Sequence, residues 1–242
     1  MDVRNYLTDN VFLCKNKLFY ESNNKIKEVK KNNWHHILNE FGWEKLHKQW
    51  IKKLNKFLPK PMKNSLYGCL DCGSDGDCLF DSICYAISNN WGQEMDTKQL
   101  RRNISEKLTR ENYNKIIEYY RILYEKNDFE ENWNPNEVTF DMFKELLIEG
   151  GNKYWGDFLI INLIHEHLDI NIIILNSNEI NNEFYYYPLL YNYNIDLDTI
   201  ILLYEDNMHF KLVGYFDGNI MQTMFNQKNI PIEILKLINQ LR

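Results

Sequence analysis

Asp75-Gly76-Asp77-Cys78-Leu79-Phe80-Asp81-Ser82 is the stretch on which the reading of this chain turns. A glycine-bearing turn hands over to an apolar run in which Leu79, Ile83, Ala86 and Ile87 recur at the i, i+4, i+7 and i+8 spacing of one helix face. The pattern puts Cys78 at the first turn of a core helix. N–H groups without helical partners and the positive end of the helix dipole lie there, and both favour the anionic form of a thiol. Gly76 permits close backbone approach, so the turn before Cys78 can also offer N–H groups to an oxyanion. A lone cysteine is more often a small buried apolar residue. The octet around it makes Cys78 a candidate nucleophile.

A thiol nucleophile needs a base that takes up and returns its proton, and a group that orients the base. Six histidines compete. His35, His36 and His47 lie near the N-terminus, and His165 and His167 flank Glu166 near a helix end. His209 opens an expected strand after the polar turn Glu205-Asp206-Asn207-Met208, far from Cys78 in sequence. A base delivered across a cleft from a sheet sits in this way.

Outward from these two points, the chain reads as helices first and strands later. Val11-Phe12-Leu13 and Leu18-Phe19-Tyr20 are short clusters of strand or loop-anchor type. Trp34 to Leu58 reads as helical through Leu46, Trp50, Leu54 and Phe57, and Pro59-Lys60-Pro61 ends it. Asp96 to Gln99 forms a capping box ahead of Leu100, Ile104 and Leu108, and Thr109 caps a further helix. Phe140 to Ile148 is helical up to Gly150-Gly151, and Trp155 to Leu168 follows. Ile170 to Leu175, Thr199 to Tyr204 and His209 to Val213 read as strands, the last two as a hairpin. A short helix is expected after Pro231. The class is α+β, with a small sheet packed between or against helices.

The 242 residues, 44% of them hydrophobic, suffice for one sizeable core. There is no run of about 18 apolar residues for a membrane helix, and Met1 to Asn10 has no signal-peptide core. Five cysteines without a disulfide-like spacing suit a reducing, intracellular compartment. Residues 1–60 carry 13 Lys and Arg against 6 Asp and Glu, so the net charge of −6 hides a basic N-terminal part and an acidic remainder. The basic part reads as a solvated surface, with nucleic acid or an acidic partner as the sharper alternative. Cys69-x-x-Cys72 lacks the second ligand pair that tetrahedral zinc requires, and His165 and His167 point to different faces of a helix. No metal or cofactor is expected.

The octet resembles the signature Asp-Gly-x-Cys-Leu-Phe/Tyr-x-Ser/Ala of the ovarian-tumour (OTU) family of cysteine proteases. His209-Phe210, followed by Lys211-Leu212-Val213, resembles the family's histidine–aromatic pair. Tyr154-Trp155-Gly156-Asp157, with the helix and strand after it, resembles its Trp-Gly block. The three blocks stand in the family's order across residues 66–215. The resemblance implies a papain-type fold with a small central, mainly antiparallel sheet flanked by helices. Residues 61–217 would form the catalytic domain, with 1–60 a basic, largely helical N-terminal region and 218–242 a helical tail.

The resemblance further implies a deubiquitinase acting on conjugates of ubiquitin or a ubiquitin-like protein, with Asp75, Cys78 and His209 as catalytic residues and no cofactor. Its style is that of OTU-like proteases of large DNA viruses, which would place it in the host cytoplasm or a virion. One position departs from the pattern. Many members carry Asp or Asn two residues after the histidine, where this chain has Lys211, which accepts no hydrogen bond. Asp75 is therefore the expected orienting group and Asn207 the runner-up. A ubiquitin-binding pseudoenzyme, or a nucleic-acid or assembly module carried by the basic region, are the competing classes.

Overall fold

The computed structural model of the chain describes residues 3–23, 25–92, 94–129, 131–180, 183–190, 192–205 and 208–241. The chain begins with an antiparallel meander of β1 (Asn5–Tyr6), β2 (Val11–Cys14), β3 (Lys17–Ser22) and β4 (Lys25–Glu28). Then come α1 (Trp34–Ile37), β5 (Trp43–Lys45), α2 (Lys48–Asn55) and β6 (Tyr67–Leu70). A helical stretch follows: α3 (Cys78–Trp91), α4 (Thr97–Lys107), α5 (Arg110–Glu125), α6 (Phe140–Glu149) and α7 (Phe158–Leu168). The last part holds β7 (Ile170–Ile180), β8 (Glu183–Leu190), β9 (Asp198–Glu205), β10 (His209–Phe216), β11 (Met221–Gln222), β12 (Met224–Phe225) and α8 (Ile232–Leu241). The main sheet runs β5-β6-β10-β9-β7-β8, with β11 on β10 and β12 on β9. Only the β7–β9 pair is parallel among these.

The apolar runs of β7 and β9 are continuous rather than alternating because both faces of the sheet are covered. Ile172, Ile174, Ile200, Leu202, Phe210 and Leu212 face a core shared with Leu79, Phe80 and Ile83 of α3 and with Ile160, Ile161 and Ile164 of α7. Their neighbours Ile173, Leu175, Ile201, Leu203 and Val213 face a second core, closed by Trp50 and Leu54 of α2 and Ile234, Leu237 and Ile238 of α8. The sheet is thus the middle of three layers, and the helices expected from periodicity supply its two covers.

The N-terminal region is not largely helical. Residues 5–28 hold four strands, and the stretch read as one helix from Trp34 is broken by Gly42, which sits at φ +81°. The Leu46, Trp50, Leu54 spacing is real for α2. Upstream of it, however, Trp43, Glu44 and Lys45 pair with Leu70, Cys69 and Gly68 of β6, a tertiary pairing that a local period cannot reveal. The region before the expected boundary at residue 60 packs on the rest of the chain: β5 extends the main sheet and α2 covers its second face. The helix after Pro231 is α8, and it closes that same core instead of trailing from it. β6 and β8 are among the strands that had no counterpart in the sequence reading. β6 is only four residues long and wholly buried, and β8 carries Pro188, which an edge strand tolerates.

Candidate active site

Cys78 is the first residue of α3 and is 3% exposed. The turn ahead of it closes when Asp77 N–H donates to Ser74 O at 3.2 Å. Asp75 (φ +58°) and Gly76 (φ +89°) both lie in the left-handed region, which glycine occupies freely and Asp more readily than most residues. The turn is backed by the Trp-Gly block, where Gly156 N–H donates to Gly76 O at 3.3 Å. Asp157 at the end of that block accepts from Leu159 and Ile160 N–H and starts α7; burial pushes its carboxyl up to about 6. Glu131, pushed up to about 7 by burial, accepts Trp155 N–H at 3.0 Å. The Asp96 and Thr109 caps form as expected, onto Gln99 and Asn112 N–H.

The antiparallel pairing of β9 and β10 brings His209, first residue of its strand, to Cys78. Phe210 N–H donates to Cys78 Sγ at 3.4 Å, fixing strand against helix at this point. The His209 ring is held above its ordinary titration range, first by a hydrogen bond shared with the Cys78 side chain and further by the Asp71 carboxylate; partial burial opposes both. His209 Nε2 lies 3.1 Å from Asp71 Oδ1, yet Nε2 has no aligned hydrogen-bond partner. The Asp71 contact is therefore mainly one of charge.

The expected nucleophile and base thus come together, and Asp75, the expected orienting group, does not join them. Asp75 is exposed; its carboxylate accepts from Ser74 Oγ at 3.2 Å and makes no contact with His209 among the described residues. Asn207 lies outside the described residues. Lys211, the position that departs from the family pattern, is paired to Glu205 across the hairpin. The acid at His209 is Asp71, directly after β6. The register that pairs Leu70 with Leu212 continues to place Asp71 beside Lys211, diagonal to His209. The only sequence signal for it was its position inside Cys69-x-Asp71-Cys72, which reads first as a metal motif.

Cys69 is buried and Cys72 half-buried, and burial pushes their thiols up to about 11 and about 12. Cys69 Sγ donates to Lys45 O, and Cys72 Sγ to Leu70 O. Among the described residues, no group of three or more His, Cys, Asp or Glu is arranged to hold a metal.

Residues 73–210 match the family model of OTU-like cysteine proteases. The protein named "Putative ubiquitin thioesterase 232R" of Invertebrate iridescent virus 3 is 27% identical over 146 residues, which are 60% of this chain and 15% of that relative. The chain therefore spans well under a fifth of the length of the curated relative it matches. Among solved structures, an OTU deubiquitinase from Wolbachia pipientis wMel bound to ubiquitin is similar at a TM-score of 0.45 and 14% identity, covering 64% of this chain and 99% of that one. The Hazara virus OTU bound to ubiquitin is similar at a TM-score of 0.39 and 10% identity, covering 88% of this chain and 94% of that one.

Proposed function

The chain belongs to the family of OTU-like cysteine proteases, and from that membership we propose that it is a cysteine-dependent deubiquitinase. It hydrolyses isopeptide bonds after the C-terminal glycine of ubiquitin or a ubiquitin-like protein. The observation that carries this reading is the meeting of Cys78, at an uncapped helix start, with His209 at the head of β10.

In the proposed reaction the Cys78 proton passes to His209, giving a thiolate–imidazolium pair. The thiolate attacks the glycine carbonyl carbon, and the C=O electron pair moves to oxygen. Asp77 N–H is already spent on Ser74 O, so the N–H groups of Gly76 and Cys78 are the donors assigned to that oxyanion. As the tetrahedral intermediate collapses, the C–N bond breaks and His209 protonates the departing lysine amine. His209 then takes a proton from water, hydroxide adds to the thioester, and Cys78 leaves as thiolate. We assign Asp71 the orienting and charge-balancing part of the site, on its 3.1 Å approach to Nε2. No metal or organic cofactor enters these steps.

The compartment we propose is intracellular, since a working thiol and four further free cysteines suit a reducing setting. If the source is viral, as it is for the relative, the host cytoplasm or the virion would be that setting. Among the described residues no helix is long and apolar enough to cross a membrane.

The test is covalent capture. Ubiquitin carrying a thiol-reactive group at its C-terminus should label the wild-type chain, and Cys78→Ala should lose the label completely while Cys72→Ala keeps it. Labelling that survives in Cys78→Ala and vanishes in Cys72→Ala would overturn the nucleophile assignment. No labelling of the wild type by ubiquitin or a second ubiquitin-like protein would overturn the substrate class.

A further inference from the structure

Asp77 stands at the N-cap of α3, where an Asp ordinarily accepts a hydrogen bond from one of the first N–H groups of the helix. Asp96, Thr109, Thr139 and Asp157 do this for α4, α5, α6 and α7. Asp77 does not; the start of α3 carries no side-chain cap. Its carboxylate turns instead to Arg101 of α4, whose Nε donates to Asp77 Oδ1 at 2.7 Å.

Arg101 is the most buried cation pairing in the described residues, with its side chain 1% exposed. Every face of the guanidinium is used. Nη2 donates to Gly76 O at 3.0 Å and Tyr154 O at 3.2 Å, Nη1 donates to Leu147 O at 3.3 Å, and the plane lies 3.8 Å from the centre of the Phe80 ring. Asp77 Oδ1 also accepts Gly151 N–H at 3.2 Å. The neighbouring Gly150 has to be glycine, because a Cβ there would lie 2.3 Å from Arg101 Nε. One guanidinium thus ties together the turn before the nucleophile, the segment ahead of the Trp-Gly block, and the first turn of α3.

We propose that Arg101 is a positioning residue for catalysis: it draws the Asp77 carboxylate away from the start of α3 and holds Gly76 O back, so that the N–H groups of Gly76 and Cys78 stay open to the oxyanion. Without it, Asp77 would cap the helix in the usual way, on the N–H groups that follow Cys78, and set a carboxylate stripped of its cation beside the place where the oxyanion forms. A lysine cannot replace it, since one ammonium cannot span Asp77, Gly76 O, Tyr154 O and Leu147 O in a fixed plane. This inference rests on the acyl-transfer reading of the site given above.

The experiment compares two reactions of Cys78 in the full chain. Hydrolysis of a fluorogenic amide at the ubiquitin C-terminus passes through an oxyanion. Alkylation by iodoacetamide displaces iodide at a saturated carbon and forms none, so it reports only the thiol and its base. Arg101→Lys should lower kcat about 100-fold, the scale of losing an oxyanion donor, with KM and the limiting alkylation rate at high pH little changed, while the pH midpoint of alkylation moves up because a helix start capped by a carboxylate favours the thiolate less. Asp77→Asn, at a partly exposed position, should lower kcat about tenfold with the same selectivity. Wild-type kcat in both variants would overturn the proposal, as would alkylation falling in step with hydrolysis, the mark of a merely structural role. Should Arg101→Lys fail to fold, Asp77→Asn decides on the same two readouts. If the wild type itself does not turn over the ubiquitin substrate, the proposed function falls first; if the wild type is active and the variants match it, only the role of Arg101 falls.

Discussion

Cys78 and His209 meet from surroundings of opposite character. Cys78 is 3% exposed, begins a helix packed into the main core, and follows a turn held by Arg101, Gly151 and Gly156. His209 opens a strand at the rim of the sheet with its side chain 24% exposed, and its acidic neighbour Asp71 is 56% exposed. The nucleophile half is fixed by backbone and buried polar contacts. The base half is fixed by strand pairing, with its charge partner in solvent. Changes of shape should therefore be severe on the first side, and changes of charge graded and pH-dependent on the second.

Gly76→Ala should break the comparison's rigid side most sharply. Gly76 sits at φ +89°, and a Cβ there would lie 2.3 Å from Gly151 O and 2.9 Å from the Trp155 ring. Both obstacles are anchored, so the turn itself has to move. We expect kcat to fall about 100-fold or more, with roughly 2 kcal/mol lost from stability for the strained backbone. Steady-state kinetics and a denaturant midpoint measure the two. A variant of wild-type activity would mean that the turn is as adjustable as the base side.

Asp71→Asn probes the other half. Its carboxylate helps hold His209 above the usual histidine range. A raised value means that the imidazolium and its contacts are fully present below the ordinary histidine pKa and are lost as pH rises through the raised one. Removing the charge brings that loss to lower pH. The alkaline limb of kcat/KM should shift downward, with a fall of roughly tenfold near neutrality, because a solvent-screened contact is worth less than a buried one. An unchanged pH profile would remove Asp71 from the site.

The same contrast explains what was legible in the sequence. Cys78 and Gly76 lie in a local pattern, where helix period and glycine placement can be read without a partner, and the Trp-Gly block was legible through its resemblance to the family. α4 and α5 were legible locally too, through the caps Asp96 and Thr109 that stand in the residues themselves, and so was α6, whose stretch from Phe140 is stopped by Gly150. Asp71 and Arg101 were not. Asp71 reaches His209 only because β6 pairs with β10 across more than a hundred residues of chain. Arg101, inside an otherwise amphipathic helix, reads as surface charge until Asp77, Gly76 and Tyr154 are brought around it. Of the meander at residues 5–28, β2 and β3 were legible as the Val11-Phe12-Leu13 and Leu18-Phe19-Tyr20 clusters, whereas β1 and β4, which hold no buried residue, were not.

Asp75 carries the smallest expected effect and tests where the two halves divide. Family resemblance made it the orienting acid, but its carboxylate is exposed and bonded to Ser74 Oγ. What its position demands is a left-handed backbone, φ +58°, a conformation that Asn adopts nearly as well as Asp and that Ala resists by about 1 kcal/mol or more. If Asp75 serves the turn, Asp75→Asn and Asp75→Gly keep kcat within about threefold of wild type, and Asp75→Ala loses more, through the same oxyanion geometry as Gly76→Ala. If Asp75 instead supplies charge to His209, Asn and Gly fail along with Ala, and the pH profile shifts as it would for Asp71→Asn. The ranking of three substitutions at one residue, measured as kcat and pH profile together, thus assigns Asp75 to the rigid nucleophile half or to the base.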